Sequence, residues 1–129
     1  MFDDVLESAL RMIRGRNVGL PGIYLFGSRA SAQARPDSDW DFAVLGGPFD
    51  KILLLETAAE AATLLCAEVD LVDLSTASTA LQFQVIQTGR LLGPFDQRSV
   101  DRFEMETLTA YQNLNESRKA ILRDFGMAA

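Results

Sequence analysis

The chain has 129 residues and a formal net charge of −6, with 48% apolar and 23% charged residues, the proportions of one ordinary globular domain spanning 1–129. It has no histidine and a single cysteine, which excludes an internal disulfide, a His-ligated zinc site, a Ser-His-Asp triad and any histidine base. The acidic balance and the scattered placement of twelve Lys and Arg residues weigh against a direct nucleic-acid partner.

The first helix is expected over 3–15, where Val5, Leu6, Ala9, Leu10 and Ile13 recur at i, i+3 and i+4. Gly15, Gly19 and Pro21 break it. "GIYLFG" at 22–27 reads as a short buried strand that ends on a glycine. Residues 28–34 suit a short helix or turn, closed by Pro36. "DWDFAVLG" at 39–46 is a second strand, and its apolar second half predicts burial on both faces. A loop at Gly46-Gly47-Pro48 leads to a helix over 50–66 that is apolar nearly all round, so that it is either well buried or meets a partner. Cys66 is expected there as a small buried hydrophobe.

"EVDLVDL" at 68–74 is the third strand. Ser75 or Thr76 is placed to cap a helix running to about Thr88, with Gly89 as its stop. "RLLG" adds a short edge strand, and one long helix follows from Asp96 to about Phe125. The expected fold class is α/β (α+β): a small mixed sheet flanked by helices, with a long C-terminal helix. No apolar run is long enough to span a bilayer, and the N-terminus has no signal-peptide pattern. The expected compartment is the cytoplasm, without membrane contact.

The chemistry concentrates in "LFGSRASAQARPDSDWDFAVL", 25–45. Side chains at i and i+2 of a strand share a face, so Asp39 and Asp41 project together while Trp40 and Phe42 point into a core. Two carboxylates this close repel unless a cation lies between them. Mg²⁺ suits them, being held by a few carboxylates together with substrate phosphates. Gly27 lets the backbone approach a ligand, and the N–H groups of the turn that begins at Ser28 offer an anion site. Arg29 and Arg35 carry guanidinium groups that match phosphate geometry. A third carboxylate is sought in the third strand, where Asp70 and Asp73 lie on opposite faces. Asp70 is preferred, because Asp73 is nearer the loop at Ser75-Thr76, where a capping aspartate is common.

The pattern Gly27-Ser28, ten residues, then Asp39-x-Asp41, with Asp70 in a later strand, resembles the DNA polymerase β-type nucleotidyltransferase superfamily. The finer text "GSRA…ARPDSDWDFAV" and "VDLVDL" is similar to its minimal nucleotidyltransferase (MNT) branch of MntA-like antitoxins. The family often has glycine where Ala32 stands. The resemblance implies a nucleotidyltransferase fold, ATP as substrate, and two Mg²⁺ ions held by Asp39, Asp41 and Asp70. It also implies a triphosphate gripped by Gly27, Ser28 and Arg29. It further implies an antitoxin that transfers AMP to a tyrosine of a HEPN-domain ribonuclease toxin, in a hetero-oligomer with that toxin. The competing expectations are an antitoxin that acts by docking alone and a nucleotidyltransferase acting on a small molecule such as an aminoglycoside. Blander roles are expected for Asp37 as a turn residue, and for Trp40 and Tyr111 as core.

Overall fold

The computed structural model describes residues 2–17, 19–31 and 34–126. Among the described residues four helices and four strands follow in order as α1 (Phe2–Arg16), β1 (Gly22–Phe26), β2 (Trp40–Leu45), α2 (Lys51–Leu65), β3 (Val69–Asp73), α3 (Thr79–Thr88), β4 (Arg90–Leu91) and α4 (Gln97–Asp124), with a 3-10 turn at Gly27–Ala30 after β1. The sheet order is β3-β2-β1-β4. β1 pairs antiparallel with β2 and with β4, whereas β2 and β3 run parallel. A parallel pair cannot be joined by a tight hairpin, and α2 supplies the crossover. The expected mixed sheet with a long last helix is therefore present.

The period-2 alternation of the strands divides the core between two faces. Ile23, Leu25, Trp40, Phe42, Val44 and Leu71 pack under α1 and α2, against Ile13, Leu54 and Ala61. Tyr24, Ala43, Leu45 and Leu74 pack under α3 and α4, against Val85 and Val100. Every residue of β2 after Asp41 is buried, as its apolar run predicts for a strand covered on both faces. In α1 the buried stripe is Ala9 and Ile13, while Val5 is exposed.

Several local expectations change. Of the short helix or turn expected over 28–34, the structure has the turn, at Gly27–Ala30, and Ala32 lies outside the described residues. The third helix starts later than Ser75 or Thr76 allows. Asp73 takes the backbone N–H and the hydroxyl of Ser75, so the chain turns there, and Ser78 caps α3 by accepting from the Leu81 N–H. Cys66 is not buried: it is exposed and caps α2 in the left-handed conformation at φ +53°. The all-round apolarity of α2 is not matched by all-round burial, since Ile52 and Leu55 are 67% and 71% exposed. The distal half of α4 overhangs the sheet in the same way. Its Leu114, Ile121 and Phe125 are exposed, and a groove of about 370 Å³ runs along it beside Ala80 of α3. Tyr111 lines this groove and stacks on Phe83 at 3.7 Å between ring centroids; both rings are only partly buried, so Tyr111 is a groove wall and not the core residue expected. Among the described residues no helix is long and apolar enough to cross a membrane.

Candidate active site

The site begins where β1 stops. Phe26 pairs with Asp41 across the β1–β2 ladder, and Gly27 follows at φ +74°, a conformation that costs a side-chain-bearing residue about 1–2 kcal/mol. A Cβ at this position would run into the Asp41 carboxylate. Glycine is therefore required twice, for its backbone angle and for the space it leaves beside the acid. Ser28 is the second residue of the 3-10 turn, and its carbonyl accepts from the Ser31 N–H and hydroxyl. One turn is too short for a macrodipole to contribute much. What it offers an anion is its leading N–H groups, which have no partner of their own within the turn.

Of the three acids, Asp41 stands against this turn, and Asp70 and Asp39 lie close enough to Asp41 to act on its charge. Asp41 and Asp70 face each other in register on the parallel pair β2–β3, so both side chains emerge on the same side of the sheet. Asp39 shares their parity one residue before β2, and it is exposed, as is Asp70. Asp41 is partly buried, and its carboxyl titrates above its usual range. Burial is the largest cause, followed by the charges of Asp70 and Asp39. The sequence thus builds a deliberate concentration of negative charge at the mouth of β2. Hard, anionic oxygen donors of this kind fit Mg²⁺. Among the described residues no three acidic or thiol side chains stand, as they are placed, close enough together to hold a metal ion by themselves.

The alternative third acid, Asp73, is placed elsewhere. It pairs with Val44, on the opposite parity from Asp41. Its carboxylate accepts the Phe49 N–H at 2.9 Å, the Ser75 N–H at 2.9 Å and the Ser75 hydroxyl at 2.7 Å. It is a knot for two loops. Asp37 is exposed in the turn before β2. Trp40 is buried, stacked on Phe42 and part of the α1/α2 core, as its parity predicts.

The basic residues behave less simply. Arg35 closes a turn through its backbone, donating to the Ser38 hydroxyl at 2.7 Å and accepting from the Ser38 N–H at 3.0 Å; its side chain is exposed. Arg29 is directed at the backbone of the same segment. Its Nε and one Nη donate to the Ser38 carbonyl, and that Nη also donates to the Pro36 carbonyl. Sequence reading missed Ser38, which organises the run into β2 through its hydroxyl, N–H and carbonyl. The serine of P-D-S is a turn signal, and that was the available clue. Sequence reading also missed Tyr24, whose hydroxyl donates to Glu104 of α4 at 2.5 Å. Burial and the Glu104 carboxylate push its titration well above the ordinary phenol range.

A sheet of this topology, ending in facing carboxylates beside a glycine turn, is the framework of a nucleotidyltransferase. The family model described as polymerase beta, nucleotidyltransferase, matches residues 12–98, and the chain belongs to that family. It is 38% identical over 116 residues to protein adenylyltransferase MntA of Shewanella oneidensis, covering 89% of this chain and 83% of that protein. Among solved structures, a toxin–antitoxin with AMP-PNP superposes with a TM-score of 0.80 at 37% identity, covering 92% of this chain and 96% of the other. The complex of tri-AMPylated Shewanella oneidensis HEPN toxin with MNT antitoxin gives a TM-score of 0.78 at 35% identity, covering 97% and 98%.

Proposed function

We propose that this chain is an antitoxin that transfers AMP from ATP to a tyrosine of its own HEPN-domain toxin, in the cytoplasm and in a hetero-oligomer with that toxin. The observation that carries the reading is the register of Asp41 opposite Asp70, with Gly27 pressed against Asp41. That arrangement occurs in a chain related to an adenylyltransferase and similar to structures of antitoxin bound to AMPylated toxin.

In this reading Asp39, Asp41 and Asp70 would be the carboxylates that hold two Mg²⁺ ions. When bound, the metal supplies neutralisation of the triphosphate charge and a lowered pKa for the attacking hydroxyl. The chain's own residues do the rest. The backbone at Gly27 and Ser28 holds the triphosphate so that the bond from the α-phosphorus to the leaving oxygen lies in line with the incoming hydroxyl. Asp70, exposed at the edge strand β3, accepts the hydroxyl proton as the new O–P bond forms and pyrophosphate departs. The site's net negative charge keeps a polyphosphate out unless cations accompany it, which ties binding to the Mg²⁺ complex of ATP.

The test is intact-mass measurement of the co-expressed toxin after incubation with ATP and Mg²⁺. Added AMP masses that vanish with Asp39→Ala/Asp41→Ala support transfer. An unmodified toxin that is nonetheless silenced by the wild-type chain rejects it in favour of docking alone.

A further inference from the structure

Arg29 follows Ser28 in the turn assigned to the triphosphate, yet its guanidinium is committed to protein. It makes three hydrogen bonds, at 3.1 and 2.8 Å to the Ser38 carbonyl and 3.1 Å to the Pro36 carbonyl. It lies 4.4 Å from the centre of the Trp40 ring, and Trp40 belongs to the α1/α2 core, on the opposite parity from Asp39 and Asp41. The group thus sits behind the carboxylates.

The three acids are not held equally. Asp41 is secured by β1 on one side and β3 on the other, and Asp70 by β2. Asp39 precedes the ladder, which begins at Trp40. Its backbone is fixed on one side by the Trp40 N–H to the Glu68 carbonyl at 2.9 Å. On the other side stands Ser38, whose carbonyl is the one Arg29 grips. We infer that Arg29 is a positioning residue, a clamp that sets Asp39 in register with Asp41 and with the Gly27–Ser28 turn. Charge-assisted bonds from a planar fork to carbonyls are stronger than neutral ones, and stacking on Trp40 restricts the fork further. Residues that orient metal ligands without touching the metal typically govern affinity ~10–100-fold.

The inference rests on Asp39 and Asp41 being metal ligands, and it separates cleanly from a phosphate contact. A contact to phosphate needs the positive charge; a clamp on carbonyls needs N–H donors. Glutamine offers two such donors without charge, and lysine offers charge with three donors but no planar fork, so the split between Mn²⁺ affinity and ATP KM carries the distinction. The experiment uses the full chain with Mn²⁺ alone as probe, read by electron paramagnetic resonance without nucleotide, together with amide exchange of residues 37–39 and KM for ATP. The clamp predicts that Arg29→Ala weakens Mn²⁺ binding ~10-fold, accelerates exchange at 37–39, and is rescued better by Arg29→Gln than by Arg29→Lys. Unchanged Mn²⁺ affinity in Arg29→Ala, with a raised ATP KM rescued by Arg29→Lys, overturns it and makes Arg29 a phosphate ligand. Should Arg29→Ala fail to fold, the order of the Gln and Lys variants decides the same question. Wild-type chain that binds Mn²⁺ no better than Asp39→Asn/Asp41→Asn removes the metal-site reading and the clamp with it.

Discussion

Asp41 and Asp70 stand directly opposite each other on adjacent parallel strands, and a third acid, Asp39, adds to the charge around Asp41. Their repulsion is a standing cost of the fold that a divalent cation relieves.

Replacing Asp41 with Asn should raise stability in metal-free buffer at neutral pH. The sign follows from linkage: Asp41 titrates above the ordinary carboxyl value of 3.8 in the folded chain, so its ionised form disfavours folding. That penalty is complete above the raised value and fades as pH falls through it toward 3.8. Thermal unfolding of wild type and Asp41→Asn at several pH values in EDTA should show the gap closing in acid. Added Mg²⁺ with ATP should stabilise only the wild type. A variant less stable than wild type at neutral pH without metal would contradict this account.

Gly27→Ala should lose stability and transfer together. The positive φ costs about 1–2 kcal/mol, and the new methyl displaces the Asp41 carboxylate. Gly19→Ala is the control, because Gly19 has φ +83° but open space around its missing Cβ. It should show the backbone cost alone, with transfer rates unchanged. Urea melts paired with an AMP-transfer assay distinguish the two.

Asp70 and Asp73 should separate in the same assays. Asp70→Asn leaves an exposed edge-strand position and should melt near the wild type while transfer falls ~100-fold or more. Asp73→Ala strips the acceptor from three donors that tie the 47–49 and 74–76 loops. It should destabilise by about 1–3 kcal/mol, with activity lost only in proportion to the folded fraction. The opposite pattern would exchange their roles.

Tyr24→Phe should destabilise the chain more than Glu104→Gln does. The first leaves a partly buried carboxylate without its donor, at about 1–3 kcal/mol; the second still presents an amide oxygen to the tyrosine hydroxyl. Chemical denaturation of both variants checks the order.

The strands and the acids were legible from the sequence because both rest on period-2 alternation. Parity alone places Asp39 with Asp41, turns Trp40 inward and sets Asp70 and Asp73 apart. What stayed hidden depended on choices a pattern does not record. The guanidinium of Arg29 fits a phosphate or a pair of carbonyls equally well, and only the path of the 34–38 loop selects the latter. The start of α3 was displaced because Asp73 captured Ser75, a local bond that competes with helix. Cys66 was misplaced because its leucine-rich surroundings suggested burial, whereas the end of α2 needed a residue to turn back the chain there. The apolar residues of α2 and distal α4 follow helical spacing whether or not anything covers them.

The crossover through α2 has a consequence for how the site comes into being. Gly27 and Asp41 are brought together by a neighbouring pair of strands, a contact the chain can form early. Asp70 arrives only when α2 has docked and β3 has been laid beside β2, a long-range closure of the slow kind. A half-assembled chain therefore owns the glycine turn and the acids of the β2 entry but not Asp70. On the proposed reading of the three acids, nucleotide occupancy would report completion of the whole sheet, and a chain caught before that step would be inert.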